Sequence, residues 1–334
     1  MKTKTLGLRI AGLMKKVATL SSLFIVLIVI CLFASCQPKR NSIVIGYIQI
    51  SPDPVLDTAK ASLFRVLRDS GFVDGKNITI LDRNAQGDLS MIPTILQSFI
   101  SQQVDLIVTN STPCMVSAAQ MVKNIPVVFT VATGPEQLEF KRIPLNLYGV
   151  YDPYKTKEIA DIFQLALPGL KKMGLPFNNS EPNAVYSARV LTEELTSRGI
   201  EVIRTTVNTS NDIIMAGEYL NTRNVDAFVV TADNTVYLGL NALARIAEKA
   251  QKPLFVTDPM QTSKGAAMGF GVDYRKWGEM SGLLVVEILK KRPPEKNKII
   301  PIEAYNLIVN KKASEAQHWL IPQELLDRAD HVIE

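Results

Sequence analysis

Twice along its length the chain alternates short β-branched and aliphatic runs with longer segments whose apolar residues recur at helical spacing. Residues 42–50 read as a buried strand. Residues 55–70 carry Leu56, Ala59, Leu63, Val66 and Leu67 on one stripe, a helix that Gly71 closes. A strand at 78–81, a helix at 91–100, a strand at 105–108, a helix at 113–122 opening on Pro113 and a strand at 126–130 complete the first array. After an irregular stretch at 134–147 the rhythm restarts. Helices at 155–167, 183–198, 212–221 and 236–250 alternate with strands at 172–177, 201–206, 226–231, 253–257 and 268–270. A helix at 274–290, the break Arg292-Pro293-Pro294, a strand at 307–309 and two short helices finish the chain. Parallel strands need a crossover, which a helix supplies. Two successive arrays therefore predict an α/β protein of two doubly wound, Rossmann-like parallel-sheet lobes. No low-complexity tract or solenoid repeat interrupts them.

The first 35 residues belong to neither array. Lys2, Lys4, Arg9, Lys15 and Lys16 precede an apolar run from Leu23 to Phe33, the layout of a secretory signal peptide. The run is shorter than the roughly 18 apolar residues that cross a bilayer. It ends in Leu32-Phe33-Ala34-Ser35-Cys36, which resembles the lipobox of bacterial lipoproteins with Phe33 at a position where Leu, Val or Ile is commonest. Cys36 is therefore expected to carry lipid, 36–41 to be a tether, and the protein to be exported and bilayer-anchored, on the outer face of the cytoplasmic membrane or in the periplasm. Of 37 Lys and Arg, five lie in this leader, which leaves 32 bases against 32 acids beyond it. The apparent basicity belongs to the export signal, and no nucleic-acid partner is expected. With Cys31 in the leader and Cys36 acylated, Cys114 has no partner for a disulfide and reads as a packing residue.

In doubly wound sheets ligands bind beyond the carboxyl ends of the strands, where helix N-termini and loop amides point. Those ends are rich in short polar side chains. In the first array they carry Gln49 and Asp53, Gln86, Ser111 with Thr112 and Pro113, and Thr130 with Thr133; in the second, Phe177, Asn178 and Ser180, Asp233 with Asn234, and Asp258. Such residues bind polar solutes, and they are equally the ordinary helix N-caps. Both readings stand at each position.

The same loops resemble the tryptophan/tyrosine kind of ABC transporter substrate-binding proteins, which have the type I periplasmic-binding-protein fold. The matching segments include Asn84-Ala85-Gln86-Gly87-Asp88, Ile125-Pro126-Val127-Val128-Phe129-Thr130, Phe177-Asn178-Asn179-Ser180-Glu181, Thr231-Ala232-Asp233-Asn234-Thr235-Val236 and Gly271-Val272-Asp273-Tyr274. The chain departs from the pattern at Asp53, where His is frequent, at Gly134, where Asp is frequent, and at Pro176 within a strand. The resemblance implies lobes formed by 42–148 plus 274–297 and by 149–273 plus 298–334, joined by a three-segment hinge. It implies a small solute, an amino acid and among these an aromatic one, delivered to ABC permease subunits. Ser111, Thr112 and Thr130 would hold the carboxylate, Asp233 or Asp258 the ammonium, and Phe177, Pro113 and Tyr237 the side chain.

Catalysis is not expected. Ile50-Ser51-Pro52-Asp53 replaces the glycine-rich turn of a dinucleotide enzyme, no P-loop or G-x-S-x-G elbow occurs, and the two histidines, His318 and His331, lie in the tail. These observations leave no catalytic triad, metal site or cofactor to assign. The competing reading is a membrane-tethered sensor or receptor of the same fold that binds a nucleoside or sugar.

Overall fold

The structure, a computed structural model, describes residues 42–290 and 297–334. The expected signal peptide, the tether with Cys36 and the Arg292-Pro293-Pro294 break lie outside the described residues. The first array is β1 (Ile43–Gln49), α1 (Pro54–Asp69), β2 (Ile78–Asn84), α2 (Met91–Ser101), β3 (Leu106–Asn110), α3 (Thr112–Met121), β4 (Val127–Thr133) and β5 (Leu147–Asp152). The second is α4 (Thr156–Ala166), β6 (Lys172–Asn178), α5 (Pro182–Ser197), β7 (Glu201–Val207), α6 (Ile213–Thr222), β8 (Ala227–Val230), α7 (Asn234–Leu238), α8 (Leu240–Ala250), β9 (Leu254–Val256), a 3₁₀ helix (Pro259–Lys264) and β10 (Met268–Val272). α9 (Tyr274–Leu289), β11 (Ile299–Pro301), β12 (Tyr305–Asn310), α10 (Lys311–Ala316), α11 (Gln323–Arg328) and β13 (His331–Ile333) follow.

One sheet runs β11-β5-β4-β3-β1-β2 and the other β13-β12-β10-β9-β8-β6-β7. Every strand pair is parallel except β10 with β12. The two doubly wound α/β lobes predicted from periodicity are thus present. Each sheet is covered on both faces: Phe99, Ile107 and Phe129 pack on one side of the first sheet, and Tyr47, Leu67 and Val108 on the other. Phe163, Leu191 and Phe255 line one face of the second, and Phe228, Val230 and Leu243 the other. The chain passes between the sheets three times, after β5, β10 and β11.

Three strands escaped the sequence reading. β5 begins where the irregular stretch was expected to end and carries Gly149 in its centre, which weakens the strand pattern. A Cβ at Gly149 would come within 2.4 Å of the Phe129 ring on β4, so the glycine answers a neighbouring strand. The lobe boundary expected at 148/149 accordingly falls inside β5, and the first sheet extends through Asp152 and regains 299–301. β11 and β13 are three-residue edge strands whose only support is tertiary. The helix expected at 236–250 is broken at Gly239, where a Cβ would meet the Ser210 carbonyl at 2.9 Å.

α9 is bound to the first lobe by close backbone approach. A Cβ at Gly278 would lie 2.1 Å from the Ala59 carbonyl oxygen of α1, so only glycine permits this contact. Among the described residues no helix is long and apolar enough to cross a membrane.

Candidate ligand site at the two switch points

Both sheets reverse their strand order once, between β1 and β3 and between β6 and β8. Such reversals open a crevice at the carboxyl ends of the strands. Here the two crevices face each other across a common cavity of about 50 Å³. Ser51, Asp53, Thr112 and Thr133 line it from the first lobe, and Asp233, Asn234, Thr257, Asp258 and Gln261 from the second. Asp152 and Tyr154 reach it from the first crossing, Tyr274 and Trp277 from α9, and Tyr237 from α7.

The first-lobe wall has the chemistry of an anion site. α3 begins there with Thr112, and its N-cap Ser111 makes no side-chain capping bond. Pro113 carries no N–H, so the amides left without a side-chain cap at this positive end of the helix dipole are those of Thr112 and Cys114. Thr112 Oγ1 accepts from the Thr133 amide at 3.0 Å, which ties the ends of β3 and β4 together. The backbone is strained beside it: Ser111 has φ 121° and Val131 φ 49°, the latter in the β4 irregularity between Phe129 and Ala132. A β-branched residue at positive φ is costly, and such strain gathers at functional sites.

The opposite chemistry comes from carboxylates. Asp53, Asp233 and Asp258 are the N-caps of α1, α7 and the 3₁₀ helix, so capping holds for all three. They differ in what their second oxygen does. Asp53 Oδ1 accepts from the Val55 amide while Oδ2 pairs with Lys264 Nζ at 2.7 Å. Lys264 closes the 3₁₀ helix of the second lobe, so this ion pair joins the lobes. Asp233 Oδ1 accepts from the Val236 amide at 2.8 Å and Oδ2 from the Asn178 amide at 2.6 Å. It thereby links β6 to β8, whose ladder stops at Gly174, two residues before the proton-less nitrogen of Pro176. Burial and the neighbouring Glu181 hold the Asp233 carboxyl above the usual range. Glu181 accepts from the Thr235 amide at 2.9 Å and from its hydroxyl at 2.6 Å, a second carboxylate at the same helix start.

Asp258 is less well satisfied. It accepts from the Met260 amide at 3.1 Å, from Gln261 Nε2 at 3.3 Å and from the Tyr274 hydroxyl, and burial, then Asp53, pushes its pKa up to about 7. Asp152 Oδ1 accepts from the Tyr154 amide at 2.7 Å and from the Tyr305 hydroxyl, and burial raises it to about 6. Neither forms an ion pair among the described residues.

Of the ligand residues expected from sequence, Thr112, Thr133, Asp233, Asn234 and Asp258 line the cavity. The other eight do not, for local reasons. Gln49 is consumed by the Ser51 carbonyl, Asp57 and Asn110. The Thr130 hydroxyl accepts from Ser281, and Asn178 serves Asp233 and Thr235. Ser111 and Pro113 form the start of α3 behind Thr112. Gln86 and Ser180 are exposed, and Phe177 packs on the second-lobe core beneath Arg204. Cys114 is buried, and burial pushes its thiol up to about 12, as a packing residue requires.

The sequence reading missed Ser51, Asp152, Tyr154, Asn183, Thr257, Gln261, Tyr274 and Trp277 on the wall. Asp152 could have been found as the acid ending the Leu-Tyr-Gly-Val-Tyr-Asp alternation, and Thr257 by its position before Asp258 at a strand end. Tyr274 and Trp277 carry no local signal.

Two α/β lobes that meet at a polar cavity at their switch points have the type I periplasmic-binding-protein fold seen in solved neighbours. The family model of ABC transporter substrate binding proteins matches residues 44–333, and the chain belongs to that family. The tyrosine-binding protein of Clostridioides difficile strain R20291 is 27% identical over 276 residues, 81% of this chain and 80% of that one. A conserved domain protein of Vibrio cholerae superposes with a TM-score of 0.83 at 26% identity, covering 87% of this chain and 99% of that one. The ABC domain from Streptococcus pneumonia in complex with L-Trp gives 0.80 at 23% identity, with coverage of 87% and 100%. The ligand-free, open structure of an adhesive substrate-binding protein from Clostridium difficile gives 0.64 at 26%, with coverage of 87% and 99%.

Two outcomes follow from the carboxylates. Lys264→Met leaves Asp53 without its cation. It should weaken lobe closure by somewhat less than the roughly 3–5 kcal/mol of a fully buried pair, because the lysine is one-fifth exposed. A larger radius of gyration in solution scattering, reversed in the Asp53→Asn/Lys264→Met double variant, reports it. Asp152 and Asp258 keep protons in the folded state that the unfolded chain releases near pH 4. They therefore add stability as pH falls from about 7 toward 4 and lose it as pH rises through 6 and 7. The ligand-free melting temperature should drop between pH 5.5 and 8, and Asp258→Asn should flatten that slope.

Proposed function

We propose that the protein is the extracytoplasmic receptor of an ABC importer, anchored to the bilayer through acylated Cys36, and that it binds an amino acid between its lobes. The observation that carries this reading is the polarity of the cavity. One wall offers the free start of α3 with Ser51, Thr112 and Thr133, and the other offers buried carboxylates, which together complement a zwitterion. The ligand carboxylate belongs with Thr112 and Thr133. The ammonium belongs with Asp258 before Asp233, because both Asp233 oxygens already hold short bonds to backbone amides.

A ligand that touches both walls stabilises the closed arrangement by its differential affinity for it. The better agreement with the L-Trp complex than with the open, ligand-free relative supports a closed arrangement here. The family supports delivery to permease subunits, and the leader and Cys36 support export and anchoring.

A thermal-shift screen tests the ligand class, since a ligand specific for the folded state raises the melting temperature. Amino acids should stabilise the protein by several degrees, and Thr112→Val should abolish the effect. Stabilisation by ribose or adenosine and by no amino acid would sink the proposal in favour of a sugar or nucleoside receptor. Acyl labelling in cells should be lost in Cys36→Ala, and retained label would remove the anchor.

A further inference from the structure

The cavity holds more carboxylate than an ordinary zwitterion satisfies. Four aspartates line it: Asp53, Asp152, Asp233 and Asp258. The chain itself provides for two of them. Asp53 has Lys264, and Asp233 has the amides of Asn178 and Val236. Asp152 and Asp258 form no ion pair among the described residues: Asp152, half-buried, has one oxygen hydrogen-bonded and feels Lys155 only from beyond ion-pair distance, and Asp258 is buried and accepts from the Met260 amide, Gln261 Nε2 and the Tyr274 hydroxyl. A buried carboxylate without a cation or ample donors is costly, and a neutral amino acid brings a single ammonium.

Independent observations point the same way. Two amide oxygens on the cavity wall, Asn183 Oδ1 and Gln261 Oε1, are buried without a hydrogen-bond partner among the described residues, whereas the hydroxyls of Tyr154 and Tyr237 share Thr257 as a neighbour. Both side chains are more than nine-tenths buried, and amide oxygens only accept. Each of the two calls for a donor on the ligand. The rings of Tyr154, Tyr237, Tyr274 and Trp277 also line the cavity, and aromatic faces favour cations. The cavity of about 50 Å³ is room for about three or four waters. A slender aliphatic frame enters it with less displacement of the walls than an indole.

We propose that the ligand carries two cationic groups on a compact aliphatic frame, as in an amino acid with a basic side chain of the ornithine or lysine kind, held by Asp152 and Asp258. This inference rests on the amino-acid reading of the site. One carboxylate receives the α-ammonium and the other the side-chain cation, while the α-carboxylate sits at the start of α3. Asp152 and Asp258 thus set specificity by charge.

Titration calorimetry of the purified protein at pH 7.5 with L-ornithine, L-lysine, L-norleucine, L-tyrosine, L-tryptophan and putrescine separates the possibilities. Ornithine or lysine should bind at least tenfold more tightly than norleucine, tyrosine or tryptophan. One of the variants Asp152→Asn and Asp258→Asn should bring the basic ligand down to the affinity of norleucine while sparing norleucine; the other should weaken both. Equal or tighter binding of norleucine, tyrosine or tryptophan overturns the two-cation claim and leaves the amino-acid reading standing. Putrescine bound as tightly as lysine overturns the α-carboxylate contact, and with it the amino-acid reading. Heat on none of these ligands overturns both. The wild-type ligand series stands even if a variant fails to fold.

Discussion

The structure depends on how it deals with acids at the ends of its strands. Carboxylates there are removed from water as the lobes meet, and each must then find amide donors, a cation or a proton. Asp233 finds amides and in doing so replaces the sheet bonds that β6 and β8 lack beyond Gly174. Glu181 adds further bonds at the start of α7, so this short helix is fixed from two sides. Asp53 finds Lys264, and because that lysine belongs to the other lobe, the satisfaction of one acid becomes a contact between lobes.

Closure rests on more than this pair. Gln137 Oε1 accepts from the Gly134 amide, and its Nε2 donates to the Pro153 carbonyl and to Tyr186 Oη on α5. That bridge has room only because position 134 lacks a side chain: a Cβ there would lie 2.8 Å from the Tyr151 ring. Asp53 and Gly134 thus sit at bonds between lobes, and Pro176 sits where the pairing of β6 with β8 gives way to Asp233.

The candidate site was legible in outline and blurred in detail. The strand-end rule found Thr112, Thr133, Asp233, Asn234 and Asp258, because a βα loop on a parallel sheet has one end to occupy. It also gathered Gln49, Thr130 and Asn178, whose side chains are spent on neighbours within their own lobe. From sequence a strand-end amide that binds a solute and one that caps or stitches look alike, since both uses need the same atoms. Asp152 was lost with β5, and Tyr274 and Trp277 arrive from a helix that returns to the first lobe after the whole second array.

What the sequence by itself determined is what short-range periodicity carries: two βα arrays, hence two doubly wound lobes, and the polar character of the loops beyond their strands. Those properties are local, because helix and strand spacing repeat within a few residues. Only the tertiary structure decided which acids are satisfied. Asp53 and Lys264 are 211 residues apart in the chain, and Asp152 meets Tyr305 across 153. Burial and partner choice are set by the approach of segments that share no local pattern, and only that approach decides that Asp53 meets a cation while Asp152 and Asp258 form no ion pair.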